Sequence, residues 1–217
     1  MKEIVNTAVV AGEQEPVNSA HAKPKLMLPD DTAPGGASSE STIIVFARLG
    51  SPRTDPSHDL CQLPRRAVDL LRSWGARLIL VSASTADYVR QVQREFQITE
   101  AFVCDGGAAV YVPQHYWRDR HRQGSEGEWE IFRFNPPDKS AAVNLVRDLF
   151  LGLGSRDVLT IGVGCDLDDY GVLAAVDVPV VVRDAVKDQT WLLRYVPGAY
   201  LTNATGPDGW AEALIGP

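Results

Sequence analysis

Short, fully apolar runs, separated by stretches with helical spacing, constrain this chain more than any other feature. The first run is Ile43-Ile44-Val45-Phe46. A second buried strand, Arg77-Leu78-Ile79-Leu80-Val81, apolar after its first residue, follows a helix predicted over Leu63 to Trp74. Runs without polar alternation are typical of strands that are buried on both faces of a parallel sheet. A strand, helix, strand unit of this kind predicts a right-handed parallel crossover.

The same alternation continues to the end of the chain. Further helices are predicted at Thr85 to Phe96, Lys139 to Phe150, Asp168 to Val176 and Gly209 to Ile215, and further strands at Ala101 to Cys104, Ala108 to Val112, Val158 to Val163 and Val178 to Val182. The prediction is an α/β fold with a doubly wound, mostly parallel, Rossmann-like sheet. Ligands of such sheets bind beyond the carboxyl ends of the strands.

Two segments lack this pattern. Residues 1–41 are rich in Pro, Ser, Ala and Gly without a sustained period, which predicts a flexible N-terminal extension, either a docking arm for a protein partner or a solvated tail. The stretch from Gln114 to Pro137 is charged and irregular. The folded domain is therefore expected over 42–217.

Composition excludes several classes of function. The net charge of −7 gives no electrostatic reason to expect a nucleic-acid partner, and no apolar run reaches the roughly 20 residues of a membrane span. The three cysteines, Cys61, Cys104 and Cys165, have no C-x-x-C pairing, so we expect reduced thiols and a cytoplasmic protein.

Four sequence motifs occur in a characteristic order from Thr42 to Ile215. They are Leu80-Val81-Ser82-Ala83-Ser84-Thr85, Gly106-Gly107-Ala108-Ala109-Val110-Tyr111-Val112-Pro113, Ala175-Val176-Asp177-Val178-Pro179-Val180-Val181-Val182 and Gly206-Pro207-Asp208-Gly209-Trp210-Ala211-Glu212-Ala213. In this order and spacing the chain resembles the mannosyl-3-phosphoglycerate phosphatases of the haloacid dehalogenase (HAD) superfamily.

The resemblance implies that the catalytic carboxylates are missing. Such enzymes carry a nucleophilic Asp after the first strand and a second Asp, the general acid and base, two residues later. Here Arg48 stands at the nucleophile position and Gly50 at the position of the proton shuttle. A guanidinium is a permanent cation, and glycine has no side chain, so neither residue can do this chemistry.

The metal-binding motif of the family is altered as well. Its G-D-S-x-N-D pattern reads Gly164-Cys165-Asp166-Leu167-Asp168-Asp169 here, so Cys165 takes the place of a magnesium ligand. Thiols are poor partners for a hard, oxygen-seeking cation. Asp169 matches the retained second acid, and Asp166 and Asp168 are further candidates for chelating an ion.

Two anion-binding positions of the family are retained. Ser82 matches the hydroxyl that contacts the phosphoryl oxygens, and Lys139 matches the lysine that neutralises them. An alternative is structural: Ser82 caps its own turn, and Lys139 is a solvated lysine. Arg48 could replace the missing metal and bind an anion with these two residues, or form an ion pair with Asp169, which we favour.

The family also inserts a substrate-covering cap domain between its second and third motifs. Only 24 residues lie between Pro113 and Asp138 in this chain, too few for a module with its own core. We therefore expect an absent or vestigial cap at 114–137. The stretch contains four aromatic residues, Trp117, Trp129, Phe132 and Phe134. They either line an open pocket or attach the loop to the domain, and we favour attachment.

Two functions remain open. The first, which we favour, is a non-catalytic binding, regulatory or scaffold domain, a pseudophosphatase that needs no cofactor. Its ligand would be a small anionic or phosphorylated molecule. The second is an active, magnesium-dependent phosphomonoesterase acting on a sugar phosphate or a phosphoglycerate-type substrate. Assaying phosphate release from an aryl phosphate with magnesium separates the two.

Overall fold

A single mixed sheet organises the domain in this computed structural model, which describes residues 41–50, 63–116, 129–185 and 187–215. Across these residues the sheet has eight strands in the order β5-β4-β3-β2-β1-β6-β7-β8. The strands are β1 (Thr42–Leu49), β2 (Arg77–Ser82), β3 (Phe102–Cys104), β4 (Ala109–Pro113), β5 (Trp129–Arg133), β6 (Val158–Gly164), β7 (Val178–Arg183) and β8 (Tyr200–Thr205). Strand β4 pairs antiparallel with both β3 and β5, and all other neighbouring strands are parallel.

Helices cover both faces of the sheet, as the sequence predicts. They are α1 (Arg65–Ser73), α2 (Ala86–Phe96), α3 (Lys139–Gly152), α4 (Tyr170–Leu173), α5 (Leu192–Tyr195) and α6 (Gly206–Ile215). Residues of α1, α2 and α6 share one apolar cluster with the sheet, whereas α3 and α4 share another on the opposite face. The prediction of a doubly wound, mostly parallel α/β sheet is confirmed.

Strand β1 lies in the middle of the sheet because its side chains are apolar on both faces. Ile44 and Phe46 pack with α3, Val45 and Ala47 pack on the other face, and all four are fully buried. The strand is paired with β2 on one side and β6 on the other. Its last residues therefore emerge at the centre of the carboxyl edge, between the ends of these two neighbours.

Several predicted elements are corrected by the structure. The segment 114–137 is not wholly irregular, because Trp129–Arg133 forms β5 against β4. Strand β8 and the short helix α5 were not predicted, since β8 contains polar residues and α5 has only four residues. The helix expected from Asp168 is a 3-10 turn at Leu167–Asp169 that leads into α4.

Other expectations concern residues outside the described part of the chain. The proposed N-terminal extension lies outside it, apart from Ser41, which is exposed. Cys61 and Trp117 also lie outside it. Phe132 and Phe134 pack against the cluster that contains α3, and Trp129 packs against the other cluster, which supports attachment of this segment to the domain. No helix in the described residues is long and apolar enough to cross a membrane.

Candidate functional site

An ion pair between Arg48 and Asp169 lies at the carboxyl edge of the sheet. Arg48 is the penultimate residue of β1, and Asp169 ends the 3-10 turn after β6, so the parallel pairing of these strands brings them together. The Nε of Arg48 is 3.3 Å from Oδ1 of Asp169, with side-chain exposures of 27% and 3%. The ion pair that we favoured from the sequence is present.

Backbone N–H groups hold the buried carboxylate in place. The N–H groups of Cys165 and Asp166 donate to Oδ2 of Asp169 at 2.8 and 3.1 Å. Gly164 makes this approach possible, since a Cβ there would lie 2.6 Å from the Cβ of Asp169. Burial raises the pKa of Asp169, and the Arg48 guanidinium and these N–H groups oppose that rise.

Cys165 differs from its prediction. It is disulfide-bonded, and its sulfur accepts a hydrogen bond from Nη1 of Arg48 at 2.9 Å. The expectation of reduced thiols is wrong for Cys165, although Cys104 is a free, buried thiol. Reduced thiols were our argument for a reducing compartment, and Cys165 does not support it. The absence of a C-x-x-C motif does not exclude a disulfide between cysteines that are distant in the sequence and meet in the fold.

Asp166, Asp168 and Asp169, all within the described residues, do not form a group that could hold a metal ion. The carboxylate of Asp166 accepts the N–H of Leu167 at 2.6 Å and pairs with Lys187 at 3.7 Å. The backbone oxygen of Asp168 accepts from Nζ of Lys139 at 2.5 Å. Lys139 begins α3 and is also near enough to Asp169 for its charge to lower the pKa of that carboxyl.

Ser82 and Gly50 also lie at this edge of the sheet. The hydroxyl of Ser82 donates to the backbone oxygen of Leu49 at 3.3 Å and accepts the N–H of Ser84 at 3.1 Å. The bond from Ser84 caps the turn after β2, as the structural alternative for Ser82 expects, and the bond to Leu49 links the ends of β1 and β2. Gly50 is buried immediately after β1.

Gln189 is part of the site and was missed in the sequence. Its buried amide donates to the backbone oxygens of Cys165 at 2.6 Å and Val182 at 2.9 Å, and its oxygen accepts the N–H of Asp184 at 2.6 Å. These bonds connect the loop after β6 to the loop after β7. No local pattern marks such a glutamine, because its role depends on contacts between separate loops.

The side chains present do not fit a magnesium ion. Among residues 41–50, 63–116, 129–185 and 187–215, no group of three or more His, Cys, Asp and Glu side chains could hold a metal. The carboxylate of Asp169 is already paired with a guanidinium, and Cys165 is in a disulfide. Magnesium needs several oxygen ligands around one point, which this arrangement does not supply.

Solved structures share this architecture. A haloacid dehalogenase-like hydrolase from Bacteroides thetaiotaomicron superposes with a TM-score of 0.54 and 11% identity, over 81% of this chain and 99% of the other. A protein from Thermoplasma acidophilum gives 0.54 and 9%, over 81% and 98%. The chain therefore has the fold of the haloacid dehalogenase-like hydrolases. No protein-family model and no curated protein matches the sequence.

Proposed function

We propose that this domain is a non-catalytic relative of the mannosyl-3-phosphoglycerate phosphatases with a binding or regulatory role, in which a fixed guanidinium replaces the metal-dependent centre. The observation that supports this function is the ion pair between Arg48 and Asp169. A cation on the chain neutralises the one acid retained from the family pattern, so the carboxylate needs no metal to balance its charge.

The loss of catalysis follows from the residues at the strand ends. In enzymes whose catalytic groups act as a unit, removing the nucleophile alone costs on the order of 10^6 in turnover, or roughly 8 kcal/mol of barrier. Here Arg48 replaces the nucleophile and Gly50 replaces the acid and base. The proton shuttle is thus lost together with the group that would form the phosphoryl intermediate.

The absence of a cap is part of the same proposal. Of the 24 residues between Pro113 and Asp138, those of β5 extend the sheet, and Trp129 packs against Phe102 and Tyr111. Few residues are left to form a separate covering module. A domain without a cap leaves its carboxyl edge open to ligands larger than a sugar phosphate.

A phosphate-release assay on the purified protein tests the loss of catalysis. We expect no release from p-nitrophenyl phosphate above a buffer blank with millimolar magnesium present. The control is Asp169→Asn, which removes the retained acid. Release that disappears with chelator and in Asp169→Asn would overturn the proposal and establish the active, magnesium-dependent phosphomonoesterase instead.

Within this role we propose that the edge binds a small phosphorylated or carboxylated ligand without metal. The supporting observation is that the Arg48 side chain remains 27% exposed while paired, at an edge where the charge of Lys139 also acts on Asp169. Lys139 would supply a second cation, whereas the hydroxyl of Ser82 already donates to the backbone oxygen of Leu49. Phosphate or 3-phosphoglycerate should then raise the melting temperature of the parent, with or without chelator, and leave that of Arg48→Met unchanged. No rise in the parent would contradict this ligand.

A further inference from the structure

The two outermost strands of the sheet differ in how their backbone groups are satisfied. Strand β8 packs against α6, and the N–H groups of Asn203 and Ala204 donate to the Glu212 carboxylate of that helix at 2.9 and 2.7 Å. Strand β5 is outermost on the other side, and in the described part of the chain no strand pairs with its outer edge. Ile131, in the middle of β5, is 43% exposed. An uncovered strand of this kind can pair with a strand of another chain.

The pairing of β5 with β4 determines which backbone groups of β5 point outwards. The N–H of Phe134, one residue beyond β5, donates to the backbone oxygen of Ala108 at 2.8 Å. Hydrogen-bonded residues alternate along an antiparallel pair, so every second residue before Phe134 bonds to β4. The residues between these have N–H and C=O groups that point away from the sheet: Trp129, Ile131 and Arg133.

These three residues are complementary to the same three residues of a second copy that lies antiparallel beside them. A two-fold axis perpendicular to the sheet at Ile131 places this residue opposite Ile131 of the other copy. It also places Trp129 opposite Arg133 of the other copy. Each hydrogen-bonded pair exchanges two bonds, so the three pairs form about six new backbone bonds.

The side chains agree with this register. Ile131 would be covered by its own counterpart, which removes exposed hydrocarbon from water, and the Arg133 guanidinium would lie beside the indole ring of Trp129. Moving the axis to Glu130 would place two carboxylates directly opposite each other and lose about two of the bonds. Moving it to Phe132 would lose the same number. This self-complementarity favours a second copy of the chain over an unrelated peptide.

We propose that β5 is a dimerisation edge, at which two copies of this chain pair antiparallel about Ile131 and join their eight-stranded sheets into one. The contact involves few residues, so we expect a dissociation constant on the order of tens of micromolar. Four strand spacings of ~4.8 Å separate β5 from β1, or about 19 Å. The dimer is therefore independent of the ligand proposed for Arg48.

Sedimentation velocity from about 5 to 500 µM tests the proposal, because the parent should change from monomer to dimer over this range. Ile131→Lys places two cations at the axis and should weaken dimerisation about tenfold or more. Leu151→Lys is the matched control, since Leu151 is also 43% exposed but lies on α3. This variant and Arg48→Met should dimerise like the parent. Circular dichroism checks that each variant is folded.

A cysteine on the axis tests the register by a second measurement. Ile131→Cys should form an intermolecular disulfide under mild oxidation, since residues opposite each other in a hydrogen-bonded pair have Cα atoms about 5.5 Å apart. Arg133→Cys, on the same face of β5, should not, because its two copies are displaced by about 13 Å along the strands.

Three results would overturn the proposal. The first is a parent that stays monomeric at the highest concentration. The second is dimerisation that Ile131→Lys leaves unchanged or that Leu151→Lys removes, which would assign the contact to another surface. The third is cross-linking through Arg133→Cys in place of Ile131→Cys, which would show a different register.

Discussion

Arg48 Nε and Asp169 Oδ1 are 3.3 Å apart, and the carboxylate of this pair is almost completely buried. Arg48→Met keeps the length of the side chain but leaves that carboxylate without its cation. We expect a loss of about 3 kcal/mol in the free energy of unfolding, at the lower end of the range for broken buried pairs because Arg48 is partly exposed. Urea unfolding measures the change.

The double variant Arg48→Met/Asp169→Asn is the control for this prediction. The amide oxygen of asparagine can still accept the N–H groups of Cys165 and Asp166 without a buried charge. The double variant should therefore be more stable than Arg48→Met alone, which makes the coupling between the two positions favourable. Additive losses would show that the ion pair contributes nothing to stability.

Magnesium should leave the stability of the parent unchanged. A ligand stabilises a folded protein by RT ln(1 + [L]/Kd), so a site with useful affinity would raise the melting temperature at millimolar magnesium. The charge balance of Asp169 and the disulfide at Cys165 predict no such site. A magnesium-dependent rise that Asp169→Asn removes would contradict the expected absence of a metal cofactor.

Trp129 should belong to the structural core although it lies in a segment that we interpret as a vestigial cap. Its ring contacts Phe102 edge to face at 5.2 Å between centroids, and the Arg90 guanidinium lies 5.6 Å from the ring. Trp129→Ala should reduce the free energy of unfolding by about 2–4 kcal/mol. Ile131→Ala, on the same strand but 43% exposed, should cost less than about 1 kcal/mol. Equal effects in thermal unfolding would refute this assignment.

Glu212 predicts a pH dependence of stability. Burial alone would raise its pKa, but the N–H groups of Ala204 and Asn203 and the hydroxyl of Tyr200 donate to the carboxylate, and the net result is a pKa below the usual 4.5. The stability that it contributes is present above pH 4.5 and is lost as the pH falls through the lowered pKa.

Glu212→Gln tests this dependence. The variant should be less stable than the parent by about 1–2 kcal/mol at neutral pH, because hydrogen bonds to a charged acceptor are lost. This difference should shrink as the pH is lowered below 4.5, since the carboxylate of the parent becomes protonated. A difference that stays constant in acid would show that the charge of Glu212 is not responsible.

The cysteines should react differently with alkylating reagents. Burial, with a smaller effect of the hydrogen bond to Asp105, raises the pKa of the Cys104 thiol to about 12, so this thiol should be inert in the native protein at neutral pH. Denaturation without reductant should expose Cys104 but not Cys165, and reductant should expose both. Peptide mass spectrometry distinguishes these states, and labelling of Cys165 before reduction would contradict the disulfide.

Much of the fold could be predicted because buried parallel strands are apolar on both faces. The run of Ile43 to Phe46 and the helical spacing of Leu63 to Trp74 identify β1 and α1 within a few residues. Strand β5 could not be predicted in this way: its burial does not alternate, with Trp129 and Phe132 partly buried and the residues between them exposed. Its place in the sheet depends on pairing with β4.

The amino-acid sequence by itself determined the alternating strands and helices and the residue types at the ends of β1 and β6, because these depend on local periodicity and on motif position. Only the tertiary structure decided what those residues do together. Arg48 is paired with Asp169, Ser82 joins two strand ends, and Cys165 is in a disulfide. These arrangements bring together groups that are far apart in the sequence, and each group had more than one possible partner. A charged side chain pairs with the partner that the packed strands place within reach. The distance between the two side chains in the fold cannot be read from their separation in the sequence.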